Sequence, residues 1–226
     1  HLQDSTPGVR RNKRRLWRSI SLLAPSMDVK PGQEEFPNFI RPEEKVTFQQ
    51  LISILRDQYQ GTPYYVFGND STANGRKAIA SRNTVYSSIV QLTNGLPANV
   101  GAVLWASLGS PNTAPFIPFY FGINEVPKPY GRQVPKPQKA YSVFSRLSES
   151  YYTDPGKYTS VFPGIWDDFE ARAIKEQVEI DQGAMRLYRN ATRMAKHFIT
   201  VNVEGLSQQA LDMAEKQLEE MEKPEE

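Results

Sequence analysis

The sequence predicts an α+β fold in which helices are layered on an antiparallel sheet. Three observations lead there: a capped amphipathic helix early in the chain, three closely spaced segments rich in β-branched and aromatic residues, and helical apolar stripes through the last third. The middle segments are joined by short breakers with no helix between them. Strands that close pair antiparallel, because a parallel crossover needs roughly a dozen residues or more.

Residues 1–45 carry Pro7, Pro25, Pro31, Pro37 and Pro42 and read as an irregular, proline-rich lead-in with no long helix. A folded domain is expected over 46–226. Its first helix spans 47–59, where Thr47 and Gln50 make a capping box and Phe48, Leu51, Ile52, Leu55 and Tyr59 share one face. Gly61 and Pro63 end it. Residues 69–77, "NDSTANGRK", read as an exposed loop.

The sheet is expected over about 84–123, from "TVYSSIVQL" (84–92), "GAVLWASLG" (101–109) and "FIPFYFGI" (116–123). Pro127, Pro129, Pro135 and Pro137 make residues 124–138 a stiff connector. A helical region follows over about 139–222: one helix at 139–152, then a stripe of Ile180, Ala184, Leu187, Ala191, Met194 and Phe198 within 163–202. Ser207 reads as the cap of a last helix on which Leu211, Ala214, Leu218 and Met221 line up.

Composition excludes several function classes. The 226 residues are 39% hydrophobic and 23% charged, enough to bury a core in one large domain or two small ones. A net charge of +2 is nearly neutral and implies no polyanionic partner, so no nucleic acid is expected. The basic run Arg10, Arg11, Lys13, Arg14, Arg15 and Arg18 reads as a solvated flank or a packing arm, with a nucleic-acid contact as the weaker alternative. No apolar run approaches the roughly 18 residues of a membrane helix. The absence of cysteine removes disulfides, thiolate metal sites and a cysteine nucleophile from this chain. It leaves the compartment open, with a secreted or periplasmic setting slightly favoured. The start has neither an apolar signal region nor an initiator Met, so the chain is expected to begin inside a longer precursor.

Chemistry-bearing residues are few. His1 and His197 have no partner at ligand spacing, so no metal site and no Ser-His-Asp triad is expected. The glycines at 101, 109 and 122 are spread among the strands, which gives no phosphate loop and no cofactor site. Asp167, Asp168 and Glu170 read as carboxylates complementing a helix dipole. A polar set does collect where the first strand begins: Arg82, Asn83, Tyr86 and Ser88. An arginine there can hold a carboxylate through two parallel hydrogen bonds, with a surface ion pair as the competing reading.

Ordered stretches add a resemblance. "RRLWRSISLLAPS" (14–26), "RDQYQGTPYY" (56–65) and "SRNTVYSSIVQLTNGLPANVGAVLWASLGSPNTAPFIPFYFGINEVPKPY" (81–130), followed by "KAYSVFSRL" and "IWDDFEARA", resemble the dipeptidase family of N-terminal-nucleophile (Ntn) hydrolases. The resemblance implies that 46–226 is the C-terminal part of an αββα sandwich. It implies a cysteine-type dipeptidase acting on small peptides, whose nucleophile is the first residue of the mature enzyme and whose α-amino group is the base. That Cys would come from a separate N-terminal segment or chain, the expected partner beside the peptide substrate. A homo-oligomer is left open. Arg82, Asn83, Tyr86 and Ser88 would contact substrate, and Tyr64 and Tyr65 would pack the 61–63 turn on the sheet. Ser88 stands where a His is frequent in the family, and Thr93 where an Arg is. Those departures carry the alternative, a non-catalytic member acting in binding or assembly.

Overall fold

The computed structural model describes residues 7–65, 78–132, 135, 139–158 and 161–223. The chain forms two compact units, His1–Ser81 and Arg82–Glu226.

The first unit opens with a helix where an irregular lead-in is expected: α1, Pro7–Leu23. The prolines bracket this helix and do not interrupt it. Pro7 is its first residue, where a missing N–H forms no helical bond anyway, and Pro25 lies past its last turn. The second helix, α2 (Phe48–Leu55), has the expected capping box. Gln50 N donates to Thr47 Oγ1 at 3.1 Å, and Thr47 N donates to Gln50 Oε1 at 2.8 Å. It stops at Leu55, short of the expected Tyr59, which instead takes a left-handed φ of 65°.

That corner is clasped by α1. Asp57 Oδ1 accepts from Tyr59 N at 2.8 Å, while Asp57 Oδ2 accepts from Arg18 Nε at 2.9 Å and Nη2 at 2.7 Å. Trp17 meets Tyr64 edge-on at 5.8 Å and Tyr59 at 6.4 Å, and the Arg14 guanidinium sits 4.1 Å from the Tyr64 ring centre. Tyr64 and Tyr65 pack, together with Trp17, against the buried Tyr59 and Ala78 of this unit. Of the basic run, Arg14, Arg15 and Arg18 pack on this corner. Tyr59 is wholly buried, and burial pushes its phenol up to about 12 against the opposing pull of Arg15 and Arg14. The expected loop at 69–77 lies outside the described residues.

The second unit is α+β. Its strands β1 (Tyr86–Leu92), β2 (Ala102–Leu108) and β3 (Ile117–Tyr120) form an antiparallel sheet in the order β1-β2-β3, with a short helix α3 (Ala98–Gly101) inside the first connection. Trp105 is the register mark: it faces Ile89 on one side and Pro118 on the other. Side chains alternate across the pleat. Val103, Trp105, Ser107 and Tyr120 are buried, whereas Tyr86, Ser88, Val90 and Leu92 of β1 are exposed.

Among the described residues, four helices complete this unit: α4 (Ala140–Thr153), α5 (Pro155–Tyr158), α6 (Phe162–Tyr188) and α7 (Thr192–Met221). The stripe expected within 163–202 is divided between two helices at 189–191, and Ala191 becomes the N-cap of α7. The two long helices fold back on each other so closely that a Cβ on Gly183 would meet Phe198 Cζ at 2.7 Å. Ser207 does not cap a helix. It lies inside α7, buried, with its hydroxyl donating to Glu204 O at 3.1 Å, a back-bond that satisfies a serine in mid-helix. In the connector, Lys128–Tyr130 forms one 3-10 turn, fixed by the Tyr130 hydroxyl donating to Ser207 O at 2.9 Å.

Candidate functional site

The candidate site is the end of the sheet where β1 begins and β2 finishes. Gly109 N donates to Val85 O at 2.7 Å, which carries the ladder one step past β2 and sets where Arg82 and Asn83 leave the sheet. Gly109 has φ +80°, and a Cβ there would meet Ser148 Oγ at 2.9 Å and Phe144 O at 3.2 Å. Glycine is needed twice over, for the backbone conformation and for the close approach of α4.

A buried hydroxyl cluster then pins the 109–113 turn to α4. Ser148 Oγ accepts from Ser110 N at 3.0 Å and lies 2.7 Å from Thr113 Oγ1, while Ser110 Oγ and the Tyr152 hydroxyl are 3.0 Å apart. Ser148 and Tyr152 lie one turn apart on the helix. Between them α4 presents Glu149, and Arg82 Nη2 donates to its Oε1. The pair stands in solvent, with side chains 47% and 61% exposed.

Of the four residues expected to contact a ligand, Arg82 and Asn83 occupy the turn before β1, and Tyr86 and Ser88 follow on its exposed face. All four are exposed. They share one strand end, and a surface cavity of about 440 Å³ lies elsewhere, lined by Leu187, Arg193, Met194, His197, Phe198 and Val201. Among the described residues, no group of three or more metal-ligating side chains occurs.

Two features escaped the sequence. Glu149 meets Arg82 across 67 positions, a separation that local spacing cannot bridge. The acidic trio is the other. Residue 167 lies beyond the first turn of α6, too far in for the dipole effect, and Glu170 is buried, its Oε1 accepting from Phe116 N at 2.6 Å just ahead of β3. Its task is to hold a strand.

A family model described as peptidase family C69 matches residues 3–160, a stretch that takes in all three strands, α4 and the Arg82–Glu149 pair. The chain belongs to peptidase family C69. Relatives of this C69 chain include a probable dipeptidase of Latilactobacillus sakei, 27% identical over 149 residues, which is 62% of this chain and 31% of the relative. A probable dipeptidase of Salmonella dublin is 29% identical over 123 residues (54% and 28%), and dipeptidase A of Lactobacillus helveticus 23% identical over 120 (52% and 25%). The matched stretch spans less than a third of the length of each of these relatives. All of α6 and α7 lies beyond the C69 match.

Proposed function

We propose that this chain is the C-terminal part, or the second chain, of a cysteine-type Ntn dipeptidase that hydrolyses small peptides. The nucleophilic Cys is supplied by a segment outside these residues. One observation carries the reading: a chain matched to a peptidase family over 3–160 contains no cysteine. The names of its relatives favour dipeptides as substrates. The exposed apolar row of Tyr86, Val90 and Leu92 suits a sheet that further polypeptide covers. In this reading Arg82 anchors the substrate carboxylate, with Asn83, Tyr86 and Ser88 beside it.

Intact-mass analysis and N-terminal sequencing of the native protein test it. The expected result is a second polypeptide beginning with Cys, or a longer precursor that yields one. Full activity in the 226-residue chain alone would overturn it. A second reading, binding or assembly without catalysis, draws on Ser88 and Thr93, which replace residues frequent in the family. Dipeptide turnover that a thiol alkylator abolishes excludes that reading.

A further inference from the structure

We propose that Glu149 is a specificity-determining residue of this site: it occupies the Arg82 guanidinium in the free protein and opposes any ligand carboxylate that binds there. The inference rests on the reading of Arg82 as the carboxylate anchor, and it adds an internal competitor to that anchor.

Three observations support it. Among the described residues, Arg82 engages Glu149 through Nη2 alone. A guanidinium binds carboxylates best through two parallel N–H groups, so a ligand taking the fork either displaces Glu149 or lies against its charge. The pair is also solvent-exposed, with side chains 47% and 61% accessible, so it contributes little and exchanges readily. Finally, Glu149 is held there by its helix and not by the ion pair. Ser148 receives Ser110 N, and Tyr152 meets Ser110 Oγ, so the turn of α4 bearing Glu149 is fixed to the strand end from both sides. Removing the Glu149 charge therefore leaves the backbone in place.

The chemical consequence is selectivity. A ligand with a free carboxylate must overcome Glu149, whereas the same ligand ending in an amide meets no such repulsion. Glu149 thus narrows the advantage that Arg82 gives to acids over amides.

The test uses the complete protein, nucleophile-bearing segment included, and two substrates: a dipeptide with a free C-terminal carboxylate and its C-terminal amide. Glu149→Gln should raise the acid-over-amide ratio of kcat/KM by roughly two- to five-fold, with the gain in KM and shrinking at high ionic strength. Glu149→Asp, keeping the charge, should stay near the wild-type ratio. An unchanged or lowered ratio in Glu149→Gln, or a clear loss of melting temperature, overturns the proposal. Arg82→Ala separates the two claims. If it leaves the ratio at the wild-type value, the anchor reading itself fails. If it lowers the ratio while Glu149→Gln does nothing, only the role of Glu149 fails. In a protein without turnover, calorimetric dissociation constants for the two peptides give the same ratio.

Discussion

Tyr120 of β3 donates its hydroxyl to Asp181 Oδ1 of α6 at 2.7 Å, tying the third strand to the first long helix. Burial is the main force on both groups. It raises the Tyr120 phenol, which the hydrogen bond and charge of Asp181 raise further, so the tyrosine stays the donor. Burial also raises the Asp181 carboxyl above its ordinary value, opposed by the hydrogen bond from Tyr120.

A raised carboxyl pKa means that the folded state holds this proton better than the unfolded chain does. Its contribution to stability is complete below the unfolded pKa and is lost as pH rises through the folded one. Asp181→Asn keeps an acceptor for Tyr120 and removes the charge. Thermal melts should place it above the wild type at neutral pH, with the gap closing as pH falls into the carboxylate range. A variant that melts lower at neutral pH would mean that the charged hydrogen bond outweighs burial. Tyr120→Phe, which strands the carboxylate, should cost about 1–2 kcal/mol.

Gly109→Ala should destabilise the strand end by about 1–3 kcal/mol, because the new methyl meets Ser148 and the Phe144 carbonyl at a φ of +80°. Gly61→Ala offers a control: it has a similar φ of +72° but nothing within 4 Å of the added Cβ. Comparing the two in denaturant melts separates backbone strain from collision. Equal losses would mean that the contact with α4 contributes nothing.

Local signals were the legible part of this fold. The Thr47–Gln50 capping box and the three β-rich segments with short breakers are contained within a few residues each, and the structure forms them as read. Errors arose where one residue type has two structural uses. Pro7 and Pro25 were read as breakers, although a proline at a helix start and one beyond its end mark the ends of α1. Ser207 has the chemistry of a cap, but its hydroxyl is satisfied by the carbonyl of Glu204 in the preceding turn. The candidate site was half legible. Arg82 stands out as a cation ahead of a strand, whereas its partner Glu149 is placed by tertiary packing of α4 that no periodicity encodes.

The 57–65 corner provides a prediction for the first unit. Both Asp57 oxygens are in use, one closing the turn at Tyr59 and the other holding Arg18, and the carboxylate is buried. Asp57→Ala should cost about 2–4 kcal/mol, because it opens the turn and leaves a mostly buried guanidinium without its counter-charge. Asp57→Asn can keep the turn acceptor and should cost less. Hydrogen exchange at the Tyr59 amide distinguishes them: fast in the alanine variant, close to wild type in the asparagine one. Fast exchange in both would assign the turn to the ion pair.

Arg82 gives the prediction that bears most directly on function. It lies in the turn before β1, with an exposed side chain whose protein partner, Glu149, is exposed too. An ion pair of that kind adds little to folding, so Arg82→Ala should leave the melting temperature within about a degree or two of wild type. Activity is a different matter if the guanidinium anchors a substrate carboxylate. A lysine offers a point charge without the planar fork, so Arg82→Lys should lower kcat/KM for a free-acid dipeptide by roughly one to two orders of magnitude, about 1.4–2.7 kcal/mol. Arg82→Ala should lose more. Melting curves and kinetics on the complete protein read both quantities at once. Wild-type turnover in both variants would leave Arg82 an ordinary surface residue, and a parallel fall in stability and activity would make it structural.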